Sequence, residues 1–146
     1  MDPRLSYRQT AVRGASPMHL VVLLYEQAIE DLRRALAAHE RGDIESRTRG
    51  INHAILVIGH LQTTLDKGQG GQVAGNLERF YNLVRAALLE AQCQQSAALL
   101  KQQIAHLLEI HEAWCAAERA LGGTTPEPAE PLPTPEERRP VAGWNA

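Results

Sequence analysis

The stretch 15-ASPMHLVVLLYEQA-28 begins as a helix and decides how the rest of the sequence is interpreted. The Ser16 hydroxyl can accept a backbone N–H of the first turn, and Pro17 suits the first helical position. The residues from Leu20 to Tyr25 are then all apolar, so they point to every side of the helix instead of forming one stripe. One face can pack on a core, and the other needs a second cover.

Four segments of the chain carry apolar residues at three- and four-residue steps, which predicts helices over 17–41, 44–67, 72–94 and 97–121. The short connections favour an all-α, antiparallel up-down four-helix bundle. The predicted core stripes are Val21, Leu24, Tyr25, Ala28, Leu32, Ala35 and Leu36; Ile44, Ile51, Ala54, Ile55, Ile58, Leu61 and Leu65; Leu77, Phe80, Tyr81, Val84, Ala87, Leu88 and Ala91; and Leu100, Ile104, Leu107, Leu108, His111 and Cys115.

Cap and break signals separate these helices. Gly42 is a good left-handed end for the first helix, while Asp43 and Ser96 are suitable N-caps for the second and fourth. The stretch KGQGGQVAGN, residues 67–76, is interpreted as a flexible turn, because it lacks the lysine and hydroxyl residue that a phosphate-binding loop places after its last glycine. Two further glycines, Gly50 and Gly59, each cost about 1 kcal/mol relative to alanine inside a helix, and we expect both to permit close packing.

Both ends of the chain differ from the bundle region, 16–121. Residues 1–15 show no usable period and are predicted to form an extended arm. Residues 122–146 contain six of the eight prolines and few apolar side chains, which predicts a disordered tail.

Composition excludes several classes of partner. A net charge of -2 argues against a nucleic-acid binder, which usually carries a basic excess. No run approaches the ~20 apolar residues of a membrane span, and no apolar signal core precedes the first helix, so we expect a cytoplasmic protein without membrane insertion. Cys93 and Cys115 are interpreted as small buried hydrophobic residues in a reducing compartment.

Neither metal binding nor catalysis is indicated by the titratable residues. No glutamate is followed three residues later by a histidine, as the di-iron bundles require. His53 and His60 share a helix face, but two histidines do not make a closed metal site. His111 is better interpreted as a hydrogen-bonded core residue. We therefore expect no metal, no cofactor, no catalytic residue and no enzymatic activity.

Each predicted helix carries apolar residues that lie off its core stripe. Single exposed apolar side chains are normal, but a surplus on every helix is typical of an interaction surface. Grooves between bundle helices can receive another amphipathic helix. The residues predicted to bind such a partner are Val22, Leu23, Leu56, Val57, Leu83, Leu89, Leu99 and Ile110.

A set of short motifs occurs in an order that resembles the flagellin-specific export chaperones, the FliS family. The likeness covers roughly residues 4–121 and rests on the order and spacing of its motifs. They are Tyr7, ASP at 15–17 followed by LLYEQAI, GDIE at 42–45, LQTTLD at 61–66, GGQVAGNLERFYNLV at 71–85 and EAW at 112–114. Glu26 and Gln27 depart from the family, which usually has aspartate and glycine there.

The resemblance implies a cytoplasmic chaperone that holds the disordered C-terminal segment of flagellin. Such a chaperone prevents premature polymerisation and helps to present flagellin to the export gate of the flagellar type III secretion system. The flagellin segment would lay short helices into apolar grooves, and the arm with Tyr7 would lie over part of a groove. On this basis Val22 and Leu23 are expected to be covered by the arm, a second subunit or the client.

A homo-oligomeric structural bundle is the alternative that the residues leave open. In that interpretation the surplus apolar residues form a dimer interface, and a weak homodimer would be the expected species in solution.

Overall fold

The computed structural model of the protein describes residues 16–122, which form four α-helices with no strand among them. In chain order these are α1 (Pro17–Glu40), α2 (Ile44–Thr63), α3 (Lys67–Gln94) and α4 (Ala97–Gly122). The predicted all-α class and the number of helices are confirmed. The predicted arm, and the predicted tail from residue 123 onwards, lie outside the described residues.

A side-chain oxygen marks the start of each helix by accepting the backbone N–H three residues further on. The donor–acceptor distance is 3.2 Å at Ser16 and 3.1 Å at Asp43, Asp66 and Ser96. Each bond satisfies a first-turn donor that has no partner within the helix. The caps at Ser16, Asp43 and Ser96 are the predicted ones, whereas Asp66 falls inside the range predicted for the second helix.

The break between α2 and α3 lies earlier than the sequence predicted. The second helix ends at Thr63, and the Asp66 cap starts a helical turn at Lys67, so most of the glycine cluster belongs to α3. Gly71 has φ 56° and ψ −131°, a conformation that is open almost only to glycine, and it kinks α3 there. The chain turns at residues 64–66 instead, because the Asp66 side chain caps a helix directly before the glycine cluster; of the predicted turn, Gly71 alone is described as non-helical within α3.

Hydrogen bonds between helices fix an antiparallel arrangement. They join Asp31 to His53 at 2.5 Å, Thr48 to Gln92 at 2.6 Å, Gln62 to Arg85 at 2.5 Å and Glu26 to His111 at 3.0 Å. The start of α2 therefore lies beside the end of α3, and the start of α1 lies beside the later part of α4. Residues 16–112 lie in one packed unit and residues 113–122, the last turns of α4, lie in a second. All of these bonds are in the first unit.

Two tyrosines join α1 to α3 inside the core. The Tyr25 hydroxyl donates to the Tyr81 hydroxyl at 3.0 Å, and the two ring centroids are 6.2 Å apart. Burial raises the pKa of Tyr81, so the phenol stays protonated and the pair remains a neutral hydrogen bond. Besides the two tyrosines, the largest fully buried side chains are Leu32, Ile51, Ile58, Leu61, Leu88, Leu100, Leu107 and Val84.

Three residues that the sequence placed off the core are buried. Val22 is 3% exposed, Leu23 is 9% exposed and Val57 is 7% exposed. A helical wheel with a single core direction is wrong for these helices, because α1 bonds to α2, α3 and α4, and α2 bonds to α1 and α3. Since Val22 and Leu23 are buried within the single chain, neither a second subunit nor a client is needed to cover them.

Three residues that the sequence placed in the interior are exposed instead. Ile44 is 58% exposed, because it is the first residue of α2 and lies at the end of the bundle. Leu108 is exposed along the edge between α1 and α4. Cys93, in the last turn of α3, is exposed and not a buried hydrophobic residue as predicted, whereas Cys115 is partly exposed.

The two glycines inside α2 differ in what surrounds them. A Cβ on Gly50 would lie 2.9 Å from the Asp31 carbonyl oxygen and 3.1 Å from the Ala35 Cβ, so this glycine lets α1 and α2 approach closely. A Cβ on Gly59 would meet no atom of the described part of the chain within 4 Å. The prediction of close packing is confirmed for Gly50 and wrong for Gly59 within this chain.

A buried carboxyl group lies between α1 and α2. Asp31 is 4% exposed, accepts a hydrogen bond from the Gln27 amide at 2.9 Å, and has the His53 Nδ1 2.5 Å from its other oxygen. Burial raises the pKa of Asp31, and the hydrogen bond with His53 opposes that rise without cancelling it. Both carboxyl oxygens have partners, as a buried polar group requires.

Replacing Ile58 by alanine tests the assigned core. Ile58 is fully buried, so Ile58→Ala leaves a cavity and should lower the free energy of unfolding by about 2–5 kcal/mol. Leu56→Ala, at an exposed position of the same helix, is the control and should change it by less than about 0.5 kcal/mol. Chemical denaturation measures both values, and equal effects of the two changes would contradict the assigned core.

Asp31→Asn tests the buried carboxyl group. The pKa of Asp31 is higher in the folded protein than its ordinary value of 3.8 in the unfolded chain. Between these two pKa values the folded protein keeps a proton that the unfolded chain releases. The free energy of unfolding therefore falls as pH rises through this range. Asparagine does not titrate but can still bond Gln27 and His53. We expect the stability of the wild type relative to Asp31→Asn to fall between acidic and neutral pH in denaturant titrations. A difference that stays constant or grows with pH would contradict the assignment.

Candidate functional site

Two apolar grooves run along opposite sides of α3. The α2/α3 groove encloses about 610 Å³ and the α3/α4 groove about 390 Å³. The α2/α3 groove is lined by Asn52, Ile55, Leu56, Gly59, His60, Thr63 and Arg85. The α3/α4 groove is lined by Phe80, Leu83, Val84, Ala87, Gln103, His106, Glu109 and Ile110.

The most exposed leucines of the chain's described part lie in these grooves. Leu56 is 70% exposed in the α2/α3 groove, and Leu83 is 65% exposed in the α3/α4 groove. Each lies beside a partly buried apolar residue, Ile55 in the first groove and Phe80 in the second. Apolar area of this kind is free to be buried by a partner, since nothing in the described residues covers it.

The structure brings together only some of the residues predicted to bind a partner. Leu83 and Ile110 share the α3/α4 groove, and Leu56 lies in the α2/α3 groove. Leu89 is exposed and Leu99 is partly buried, but neither lines either groove. Tyr7 lies outside the described residues, and the buried residues Val22, Leu23 and Val57 are not available at the surface of this chain.

Several groove residues were missed from the sequence. Ile55 and Phe80 carry the core period, so the sequence placed them inside, but each is partly exposed as a groove wall. Arg85 and Gly59 gave no apolar signal. The one available sign was that Gly59 interrupts a helix where alanine would be more stable.

Three polar side chains, those of Gln62, Asn82 and Arg85, are linked by hydrogen bonds beside the α2/α3 groove. The Arg85 guanidinium donates to the Gln62 side-chain carbonyl at 2.5 Å, and the Gln62 side-chain amide donates to the Asn82 side-chain carbonyl at 2.8 Å. These bonds hold α2 and α3 together beside the groove. Among the described residues that line it, none is a carboxylate, so Arg85 and His60 give this groove a neutral to basic edge.

The two surfaces beside α1 have a different chemistry. The cleft between α1 and α4 is lined by Glu26, Glu30, Arg33, Arg34 and His111 together with three apolar residues. The cleft between α1 and α2 is lined by Arg34, Arg41, Arg49 and the Asp31–His53 pair, among others. Several of these charged side chains have an acidic partner: Arg34 pairs with Glu30, Arg41 with Asp43 and Arg49 with Glu45. The two grooves beside α3 have fewer charged lining residues, and they are therefore the candidate sites.

The described residues contain neither a metal-binding cluster nor a helix that could span a membrane. Within residues 16–122, no three histidine, cysteine, aspartate or glutamate side chains are grouped so that they could hold a metal ion. None of the helices described there is long and apolar enough to cross a membrane. His111, as predicted, is hydrogen-bonded, with its Nε2 3.0 Å from a Glu26 carboxylate oxygen.

The fold and the site together define a class of protein, an antiparallel four-helix bundle with an apolar groove on each side of α3. Over residues 2–121 the sequence matches the family described as Flagellar protein FliS, and the chain belongs to this family.

Named relatives agree with this assignment. The flagellar secretion chaperone FliSB of Pseudomonas aeruginosa is 38% identical over 118 residues, which cover 78% of this chain and 94% of the relative. The flagellar secretion chaperone FliS of Salmonella typhimurium is 33% identical over 107 residues, which cover 73% and 79%. The corresponding protein of Vibrio cholerae is 30% identical over 101 residues, covering 69% and 74%. These relatives are named as chaperones, which is not a class of enzyme.

Proposed function

We propose that this protein binds the C-terminal segment of flagellin as short amphipathic helices in the α2/α3 and α3/α4 grooves. The bound segment would be kept from polymerising in the cytoplasm and handed to the flagellar export gate. The observation that carries the proposal is the pair of exposed leucines, Leu56 and Leu83, in grooves on the two sides of one helix. The names of the relatives support a role in flagellar secretion.

The grooves suit an extended client with alternating helical pieces. Each has an apolar floor that can hold one face of a helix, as helix-in-groove recognition requires. Since the grooves lie on either side of α3, a segment that fills both must cross over that helix. Leu89, which is exposed on α3 outside both grooves, is a candidate contact on the crossing path.

The binding residues that we propose are a corrected set. Leu56, Leu83, Leu89 and Ile110 stay in it, together with Ile55 and Phe80 as groove walls. Leu99 stays as a partly buried edge residue and Tyr7 as a residue of the arm. Val22, Leu23 and Val57 leave the set, because a buried side chain reaches a client only if the bundle opens.

Leu56→Asp and Leu83→Asp test the grooves. Both positions are exposed, so each variant should fold with nearly unchanged stability, but a docked client would bury the new carboxylate without a partner. We expect each change to weaken binding of a flagellin C-terminal peptide from the same organism by at least about tenfold, or 1.4 kcal/mol. Calorimetric titration measures the affinity and thermal melts measure the fold.

Two control variants decide how these titrations are interpreted. Ile44→Asp adds a carboxylate at an exposed apolar position outside both grooves and should leave the affinity unchanged. Val57→Asp, one residue from Leu56, puts the charge at a buried position and should unfold the bundle or destabilise it by several kcal/mol. Normal binding by folded Leu56→Asp and Leu83→Asp proteins would overturn the proposed site.

The same variants distinguish the chaperone from a homo-oligomeric bundle. If the grooves are a dimer interface, the wild type should be dimeric by light scattering, and Leu56→Asp or Leu83→Asp should make it monomeric. A dimeric wild type that binds no flagellin peptide would overturn the proposed function in favour of this alternative.

A further inference from the structure

Gly59 lies at a position where nothing in the described residues requires a glycine. It is within α2, four residues before the helix ends, and its backbone is not in a left-handed conformation. A Cβ added there would meet no atom of residues 16–122 within 4 Å, in contrast to Gly50 in the same helix, where it would press on α1. Alanine would favour the helix more than glycine does. Within the described residues, therefore, neither backbone geometry nor packing accounts for Gly59.

Gly59 lines the α2/α3 groove, so the absence of a side chain there changes the shape of the groove wall. Leu56 lies three residues before it and Thr63 four residues after it, so the three share one face of α2, and all three line the groove. A glycine between two larger side chains leaves a notch in the groove wall. Helical or strand glycines commonly occur where another backbone approaches closely.

We infer that Gly59 is the point of closest approach between α2 and a client helix in the α2/α3 groove, an inference that rests on the proposed flagellin binding. The client helix would pack apolar side chains on Ile55 and Leu56 while its backbone comes close to α2 at the notch. The groove edge carries Arg85 and His60 and, among the described lining residues, no carboxylate. The helix that fits is therefore amphipathic, with an acidic side chain on the edge that faces Arg85.

Gly59→Ala distinguishes an effect on the stability of the unbound protein from an effect on its affinity for the client. The methyl group has free space in the unbound protein and favours the helix, so the melting temperature should rise by about 3 °C. In the complex the same methyl group should hold the client backbone away, and the dissociation constant for the flagellin C-terminal peptide should increase about tenfold.

Gly75→Ala is the matched control. Gly75 is also helical and partly exposed, and a Cβ added there would meet no described atom within 4 Å, but it lines neither groove. It should raise the melting temperature by a similar amount and leave the affinity unchanged. Gly50→Ala, where the Cβ meets α1, should instead lower the melting temperature.

The outcomes separate this inference from the function on which it rests. If the wild-type protein does not bind the peptide, the proposed function fails. If the wild type binds, Leu56→Asp does not, and Gly59→Ala binds as well as the wild type, only the inference about Gly59 is overturned. A lowered melting temperature of Gly59→Ala would also overturn it, because the glycine would then serve the isolated bundle.

Discussion

The narrow stripe by which α3 packs on the bundle is the constraint on which the grooves depend. Its buried residues are Ala74, Tyr81, Val84, Leu88 and Ala91, which recur at steps of three, four and seven. A stripe of this width buries only one side of a helix and leaves both flanks beside it uncovered. One flank carries Leu83 towards α4, and the other carries Arg85 towards α2. The first helix, by contrast, buries residues on nearly every side, so it anchors the bundle while α3 supplies the walls of the grooves.

Features that depend on residues within one helix could be predicted from the sequence, whereas features that depend on packing between helices could not. Helix number and three of the four N-caps were predicted correctly, because an N-cap acts within one turn of its own helix. Leu56 and Val57 show where this reasoning ends. They are sequence neighbours that a wheel places 100° apart, and both fell off the single predicted stripe. Only the positions of α1 and α3 around α2 decide that Val57 is buried and Leu56 is not, and those positions come from packing between helices.

The buried polar cluster of α1 shows a second limit of sequence reasoning. Gln27 and Asp31 are one helical turn apart and both are buried, although residues of these types usually lie at the surface. Their burial depends on His53 of α2, which is 22 positions away from Asp31 in the sequence. The Gln27 amide supplies one of the two hydrogen bonds to the Asp31 carboxyl group. Apolar periodicity does not reveal the contact between Asp31 and His53, because it joins polar side chains on different helices.

Stability and binding use different faces of α2, which explains why its two glycines differ. The face with Gly50, Ile51 and Ile58 packs on the bundle, so an added methyl group there disturbs the fold. The face with Leu56 and Gly59 lines the α2/α3 groove. An exposed leucine favours association, and a helical glycine weakens its own helix. Neither feature makes a packing contact among the described residues, and both lie on the same face one turn apart. Their cost is offset only when another helix occupies the groove, where the leucine becomes buried and the glycine allows close approach.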